Sequence, residues 1–434
     1  MIRRKDTDVP LTRRRAARIT AAVLTVAAIG LSAAGCGSMS GKETIRFAFS
    51  KREAIPFMND VVATYNKSQN KVEVIMDTSG VDVTSASFVR GNPPDIALAN
   101  HNMEVSRFVE RCTLTDLADT SAAQRINPDL TPLVDQYGVC EGRTSALPYS
   151  VMSASVIYNK QIFADHQITV PQTWSDLLAA ADKLKAAGVT PFYGTFAGTD
   201  AWTIGQGWFD YSAGGMVDMK EFFETLHEEG VNVGPHSRQS FQKDFLEPMN
   251  RMLQLTDNYV NADAASRTYA DGNLAMAQGK AAMLLQGPWA FSEIAKTAPN
   301  LELGTFPLPM TEDPGDLRVR VNMDLAAWIP ERGHHHQAAR DFLEYLYQPE
   351  VIDAYNASQL GFTPTTDAKQ NDDPRVAGMK PYYDAGQMYQ GPSVLVHKSI
   401  PVFNYAQAMV LGADPQATLA TIDADWARLA FRQA

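Results

Sequence analysis

The sequence predicts an α/β fold built around more than one core, on three observations. Strand-like apolar runs alternate with runs of helical spacing. One of them, Asp95-Ile96-Ala97-Leu98-Ala99 behind Pro93-Pro94, is continuous enough for a strand buried on both faces, the habit of parallel sheets. And roughly 400 residues remain after a removable N-terminus, with 45% hydrophobic content, beyond the ~250–300 at which a single core stops growing. Layered α/β architecture with right-handed crossovers follows.

At the N-terminus, Arg3, Arg4, Lys5, Arg13, Arg14, Arg15 and Arg18 form a basic head, followed by the apolar stretch Ile19 to Leu31 and then small residues. This is the layout of a secretory signal over residues 1–35, and its apolar part is shorter than the ~20 residues of a membrane span. The run Leu31-Ser32-Ala33-Ala34-Gly35-Cys36 resembles a bacterial lipobox, with Ala33 where leucine is usual. Lipidation of Cys36 is expected, anchoring the exported protein to the outer face of the cytoplasmic membrane; cleavage without lipid is the alternative. One diacyl-type anchor supplies the two chains that stable attachment needs. Thr12 before three arginines faintly resembles a twin-arginine signal, which leaves the export route open.

Residues 1–35 carry seven Lys/Arg and two Asp/Glu, so their loss takes the formal charge from −11 to −16. Such a field repels nucleic acid, which excludes that class of partner, and only weakly favours a cationic ligand. With Cys36 as the anchor, Cys112 and Cys140 remain as an even pair in an exported chain. They are predicted to be bonded, with two reduced buried thiols as the alternative.

Residues 36–43 read as a polar tether, and Thr44 to Phe49 alternates as a strand does. Pro56 to Asn66 has helical spacing, and Val72 to Met76 is a second strand. In Pro171 to Leu178, Thr173 and Asp176 form a capping box for a helix whose apolar face is Trp174, Leu177, Leu178, Ala181 and Leu184; Gly188 ends it. Further on, Gly279 closes a helix, 281–285 make a buried strand, and Gly287-Pro288 turns the chain so that Trp289 emerges at the strand's carboxyl end. That edge is where open α/β sheets bind ligands.

Several stretches together resemble the family 1 extracellular solute-binding proteins of bacterial ABC importers: Pro94-Asp95-Ile96, Leu147-Pro148-Tyr149 with Tyr158-Asn159-Lys160, the Pro171 to Leu178 box, Gly279 to Met283 with Gly287-Pro288-Trp289, and Ala339 to Pro349 with Gly361-Phe362-Thr363-Pro364. The likeness runs from about residue 44 to 430. The stretch 321–329 departs from it, standing where the family usually has a glycine pair. The resemblance implies a two-lobed periplasmic-binding-protein-like fold of type II, with a hinge between lobes and the ligand between them. Lobe 1 would comprise 44–148 plus 303–347 and lobe 2 149–302 plus 348–434, with Leu147-Pro148-Tyr149 and Gly304 to Pro307 as hinge strands. It further implies a non-enzymatic, monomeric receptor without a cofactor, which hands a sugar to an ABC permease.

A pyranose offers an apolar face and a rim of hydroxyls, so its site needs exposed rings plus amides or carboxylates. Trp289 matches the family's cleft tryptophan and Trp202 sits where members often place another; each could instead be core. Ser50 and Glu53 after the first strand, Asn100 after the third, and Asp324 after a later apolar run are candidates for the rim, although such residues also serve as caps and turns. Tyr149, at a hinge, is suited equally to contact and packing. Trp174 is expected in the core. Two further readings remain: the same fold holding a cation such as a polyamine, or an anchored glycoside hydrolase. His334-His335-His336 is expected to be a solvated loop rather than a metal site, since three adjacent histidines cannot face one ion. Gly205 and Gly207 lack the third glycine and preceding strand of a dinucleotide loop.

Overall fold

The computed structural model describes residues 41–80, 86–369 and 371–433; the signal segment and Cys36 lie outside them. Nine strands are found among the described residues: Glu43–Ala48 (β1), Val72–Asp77 (β2), Ile96–Ala99 (β3), Leu147–Asn159 (β4), Thr190–Phe192 (β5), Ala281–Gln286 (β6), Leu303–Phe306 (β7), Val319–Trp328 (β8) and Met388–Gln390 (β9). They join in the order β2-β1-β3-β8-β4-β6-β5, with β7 also on β4 and β9 on β8. β1 is parallel to β2 and β3, and β5 to β6; such pairs need crossover connections, which the intervening helices supply.

Two strands carry the sheet from one lobe into the other. β4 pairs over 147–154 with β8 and over 155–159 with β6 and β7. β8, running the opposite way, pairs with β3 over 326–328 and with β9 over 319–321. The apolar residues divide accordingly. One core gathers Ile45, Phe47, Leu98, Leu325, Phe342 and Tyr355; the other gathers Ile157, Phe192, Trp208, Leu285, Phe306 and Val321. The protein is a two-lobed α/β chain.

The predicted lobe boundaries need correcting. Leu303, Phe306, Leu308, Met310, Val319, Val321 and Met323 lie in the second core, not the first, so residues 303–323 belong to lobe 2. Gly304 to Pro307 is not a hinge: β7 is a strand of lobe 2, and Gly304 is there because a Cβ would stand 2.6 Å from the Tyr158 ring. The second crossing is β8 itself. Ile352 and Tyr355 pack in the first core, which moves the third crossing beyond residue 355.

At the crossing the β4–β8 register slips twice. Pro148 faces Ala326, Ser150 faces Leu325 and Val151 faces Met323, which leaves Tyr149 and Asp324 as one extra residue on each strand. Extra residues of this kind bend a strand and re-aim its side chains. Elsewhere local chemistry does what the sequence asks. Thr173 and Asp176 form their reciprocal cap on the helix Trp174–Ala186, and Gly188, at φ +76°, takes the left-handed conformation beyond its end. Cys112 and Cys140 are disulfide-bonded with Cα atoms 5.4 Å apart. Closing a loop of this separation contributes about 3–4 kcal/mol on a chain-entropy estimate.

Candidate functional site

A cleft of about 510 Å3 opens where the lobes meet. Strand ends supply its walls. Glu53 follows β1, Asn100 and His101 follow β3, and Asp324 projects from the irregularity in β8; Trp202, Gln206, Tyr269, Trp289 and Glu293 face them from lobe 2. Aromatic faces and polar acceptors therefore meet from opposite sides.

Each ring is held by its neighbours. Trp289 opens the helix Trp289–Ala295 directly after β6. Its indole N–H donates to Gln286 Oε1 at 3.0 Å, and the ring lies over Gly287, where a Cβ would stand 2.2 Å from it. Trp202 leans on Tyr269, centroids 5.1 Å apart. The Tyr269 backbone N–H donates to Asp200 Oδ2 at 2.8 Å, tying the Trp202 turn to the next helix. The π-helical turn Ile204–Phe209 carries Gln206 into the cleft. Gly205 and Gly207 are packing glycines there, since Cβ atoms would meet Phe403 at 2.0 Å and the Leu285 carbonyl at 2.8 Å.

On the other wall, Lys51 Nζ donates to Asp324 Oδ2 and lies 3.7 Å from Glu53 Oε1. Asn100 Nδ2 donates to the Asp324 carbonyl at 2.5 Å and approaches its Oδ1 at 3.5 Å. Burial pushes the Tyr269 phenol up to about 12; a hydrogen bond with Asn273 opposes this, and the charges of Glu293 and Glu53 add to it. The same ring thus senses carboxylates from both lobes.

Two candidates fall outside the cleft. Tyr149 is wholly buried, edge-on to Tyr347 at 5.3 Å and tilted against Tyr355 at 5.2 Å. The slipped register that sends Asp324 outward turns Tyr149 inward, so its role is packing. Ser50 is half-buried and is not among the lining residues; its neighbour Lys51 takes the place beside Asp324. Trp174 is 7% exposed, in the second core. A larger cavity, about 570 Å3, lies beside the disulfide within 109–148 and shares His101 with the cleft. Among the described residues, it is lined by no tryptophan, tyrosine or phenylalanine and so offers no stacking face.

His101 separates the two spaces, 3% exposed. Burial holds its imidazole low, at about 4, with the Val134 carbonyl opposing. The unfolded chain takes up that proton near pH 6.5 and the folded one only near 4, so this contribution is fully present above 6.5 and is lost as pH falls toward 4. Urea unfolding at pH 5 is expected to give about 2 kcal/mol less stability from this group than at pH 7. His101→Gln should remove that part of the pH slope; an unchanged slope in the variant would exclude His101 as its source.

Residues 50–352 match the family model described as bacterial extracellular solute-binding protein. The chain belongs to that family. This solute-binding protein is similar to the multiple sugar-binding protein of Streptococcus mutans, 25% identical over 325 residues that make up 73% of this chain and 74% of that one. An uncharacterised ABC transporter extracellular-binding protein of Pyrococcus horikoshii is 27% identical over 66% of this chain and 62% of its own. Among solved structures, the apo form of RafE from Streptococcus pneumoniae superposes with a TM-score of 0.76 at 22% identity, covering 91% of this chain and 99% of that one. RafE in complex with raffinose gives 0.74 over 89% and 99%. Likeness at that identity speaks for the two-lobed fold. Family membership makes the chain a binder of solutes and sets the glycoside-hydrolase expectation aside.

Several lining residues of this solute-binding protein escaped sequence reasoning. Ser292 and Glu293 follow Trp289 by three and four positions, one helical turn, so the same face was open to inference. Asn322 and Asp324 share a strand face by alternation. Gln206 follows Trp202 by four positions and was open to the same inference; Tyr269 carried no signal, because only the tertiary fold brings it beside Trp202.

Proposed function

We propose that this protein captures a saccharide between its lobes outside the cell and delivers it to an ABC permease, tethered by lipid on Cys36. What carries the reading is the meeting, in one cleft, of the Trp289 and Trp202 rings from one lobe with Asp324, Asn100 and Glu53 from the other. Rings cover the apolar face of a pyranose, and carboxylate or amide oxygens accept its hydroxyl hydrogens. The names of a multiple sugar-binding relative and of a raffinose-bound structural neighbour support the same solute class. Closure of the lobes on the sugar is the population shift a permease would sense.

A thermal-shift screen of the mature chain against raffinose, stachyose, melibiose and diacetylchitobiose tests it. A ligand at 100 times its Kd adds about 2.7 kcal/mol, so at least one member should raise the unfolding midpoint by several degrees; no shift with any of them would reject the reading. Palmitate labelling lost in Cys36→Ser would support the anchor, and absence of label in the natural chain would leave cleavage alone.

A further inference from the structure

Lys51 lies just beyond β1 at the start of the turn Arg52–Ala54, and only a tenth of its side chain is exposed. It engages Asp324, itself 12% exposed, and approaches Glu53, a lining residue of the cleft whose side chain is 53% exposed. The third carboxylate of the lining, Glu293, receives Lys296 Nζ at 2.7 and 2.8 Å. Three carboxylates of the cleft thus face two ammonium groups, in a chain whose overall charge is −11. The pairs differ in weight. Lys296–Glu293 is an exposed pair of small worth, whereas Lys51–Asp324 is held where water screens little.

We propose that Lys51 sets the charge selectivity of the cleft: by holding Asp324 and Glu53 it makes the lobe 1 wall an acceptor surface matched to uncharged polyols rather than to ammonium-bearing ligands. The proposal rests on the saccharide reading and deepens it. A carboxylate has about four lone-pair sites, so one bond from Lys51 leaves Asp324 Oδ1 able to accept a hydroxyl while fixing which way it points. Asn100 steadies the same residue through its backbone carbonyl. Without the lysine, two like charges share one wall. Each then gains from a cationic partner, and neither is aimed. Lys51 is therefore a positioning residue that acts through Asp324 and Glu53.

The test compares the mature chain with Lys51→Met and Lys51→Arg by calorimetric titration. The uncharged probes are raffinose, stachyose and diacetylchitobiose; the ammonium-bearing ones are chitobiose and spermidine. The natural chain should bind at least one uncharged probe and prefer it. Lys51→Met should weaken that binding about tenfold or more and shift the ratio of the two classes about tenfold toward the ammonium-bearing probes. Lys51→Arg should stay within about threefold of the natural chain, since it keeps the charge. A role in packing alone would lower all affinities together and leave the ratio unmoved, which overturns the proposal, as does a natural chain that already prefers the cations. No binding of any probe by the natural chain rejects the saccharide reading, and the proposal falls with it; normal binding by Lys51→Met rejects the proposal alone. Should Lys51→Met fail to fold, Glu53→Gln, which leaves the Lys51–Asp324 pair intact, is expected to shift the ratio about threefold or more away from the cations, and an unmoved ratio overturns the proposal.

Discussion

Asp210→Ala is expected to cost about 3–5 kcal/mol of stability, the usual penalty for stranding one member of a buried ion pair. Asp210 and Arg320 are both fully buried, with Arg320 Nε donating to Asp210 Oδ2 at 2.8 Å. The Ser393 backbone N–H and hydroxyl donate to the two carboxylate oxygens, each at 2.8 Å. Burial pushes the Asp210 carboxyl up, while Arg320 and Ser393 pull it back. Gly391 makes room, since a Cβ there would stand 2.0 Å from Asp210 Oδ2. Removing the carboxylate leaves a guanidinium on β8 with no counter-charge and two donors of Ser393 with no acceptor. Urea unfolding of the ligand-free protein reads the loss. Asp210→Leu combined with Arg320→Met should recover most of it, because an apolar pair needs no desolvation. A loss under 1 kcal/mol in Asp210→Ala would show that the pair is not what holds this region.

Trp289→Ala should weaken saccharide binding about 100-fold, in the range of a central aromatic anchor. Gly287→Ala should act in the same direction, about tenfold or more, although it removes nothing from the cleft. Its new methyl would occupy space now filled by the indole, 2.2 Å away, and the ring must leave its seat. Trp289→Phe exchanges the indole for a smaller ring, which frees Gln286 Oε1 and keeps a stacking face, so a smaller loss is expected. Calorimetric titration with the best sugar from the screen measures all three. Should Trp289→Ala bind as tightly as the natural chain, the ring is no part of the site.

What was legible in the sequence was local. The Thr173–Asp176 cap, the left-handed Gly188 and the turn that delivers Trp289 each depend on a few neighbouring residues, and so could be read from them. The lobe boundary was different. Whether 303–323 belongs to one core or the other depends on β7 pairing with β4, a contact across about 150 positions that no local pattern records. Tyr149 shows the same limit. It stands in a strand buried almost throughout, where no alternation tells one face from the other, and a register slip decides the matter. Lys51 carries no local signal of its role, because its partner Asp324 stands 273 positions away.

The slipped register between β4 and β8 also bears on the order of events during capture. Strands that pass between the lobes lie near the axis of any closing rotation, and displacement grows with distance from that axis. Asp324, on a crossing strand, would then travel less than Trp289 and Glu293 on the opposite lobe. An arriving solute therefore meets a stationary wall first and a moving one second. On the proposed saccharide reading, contact with the hydroxyl rim would belong to encounter and coverage by the rings to retention. The loss in Trp289→Ala is accordingly expected in how fast the sugar departs, with its rate of arrival nearly unaltered.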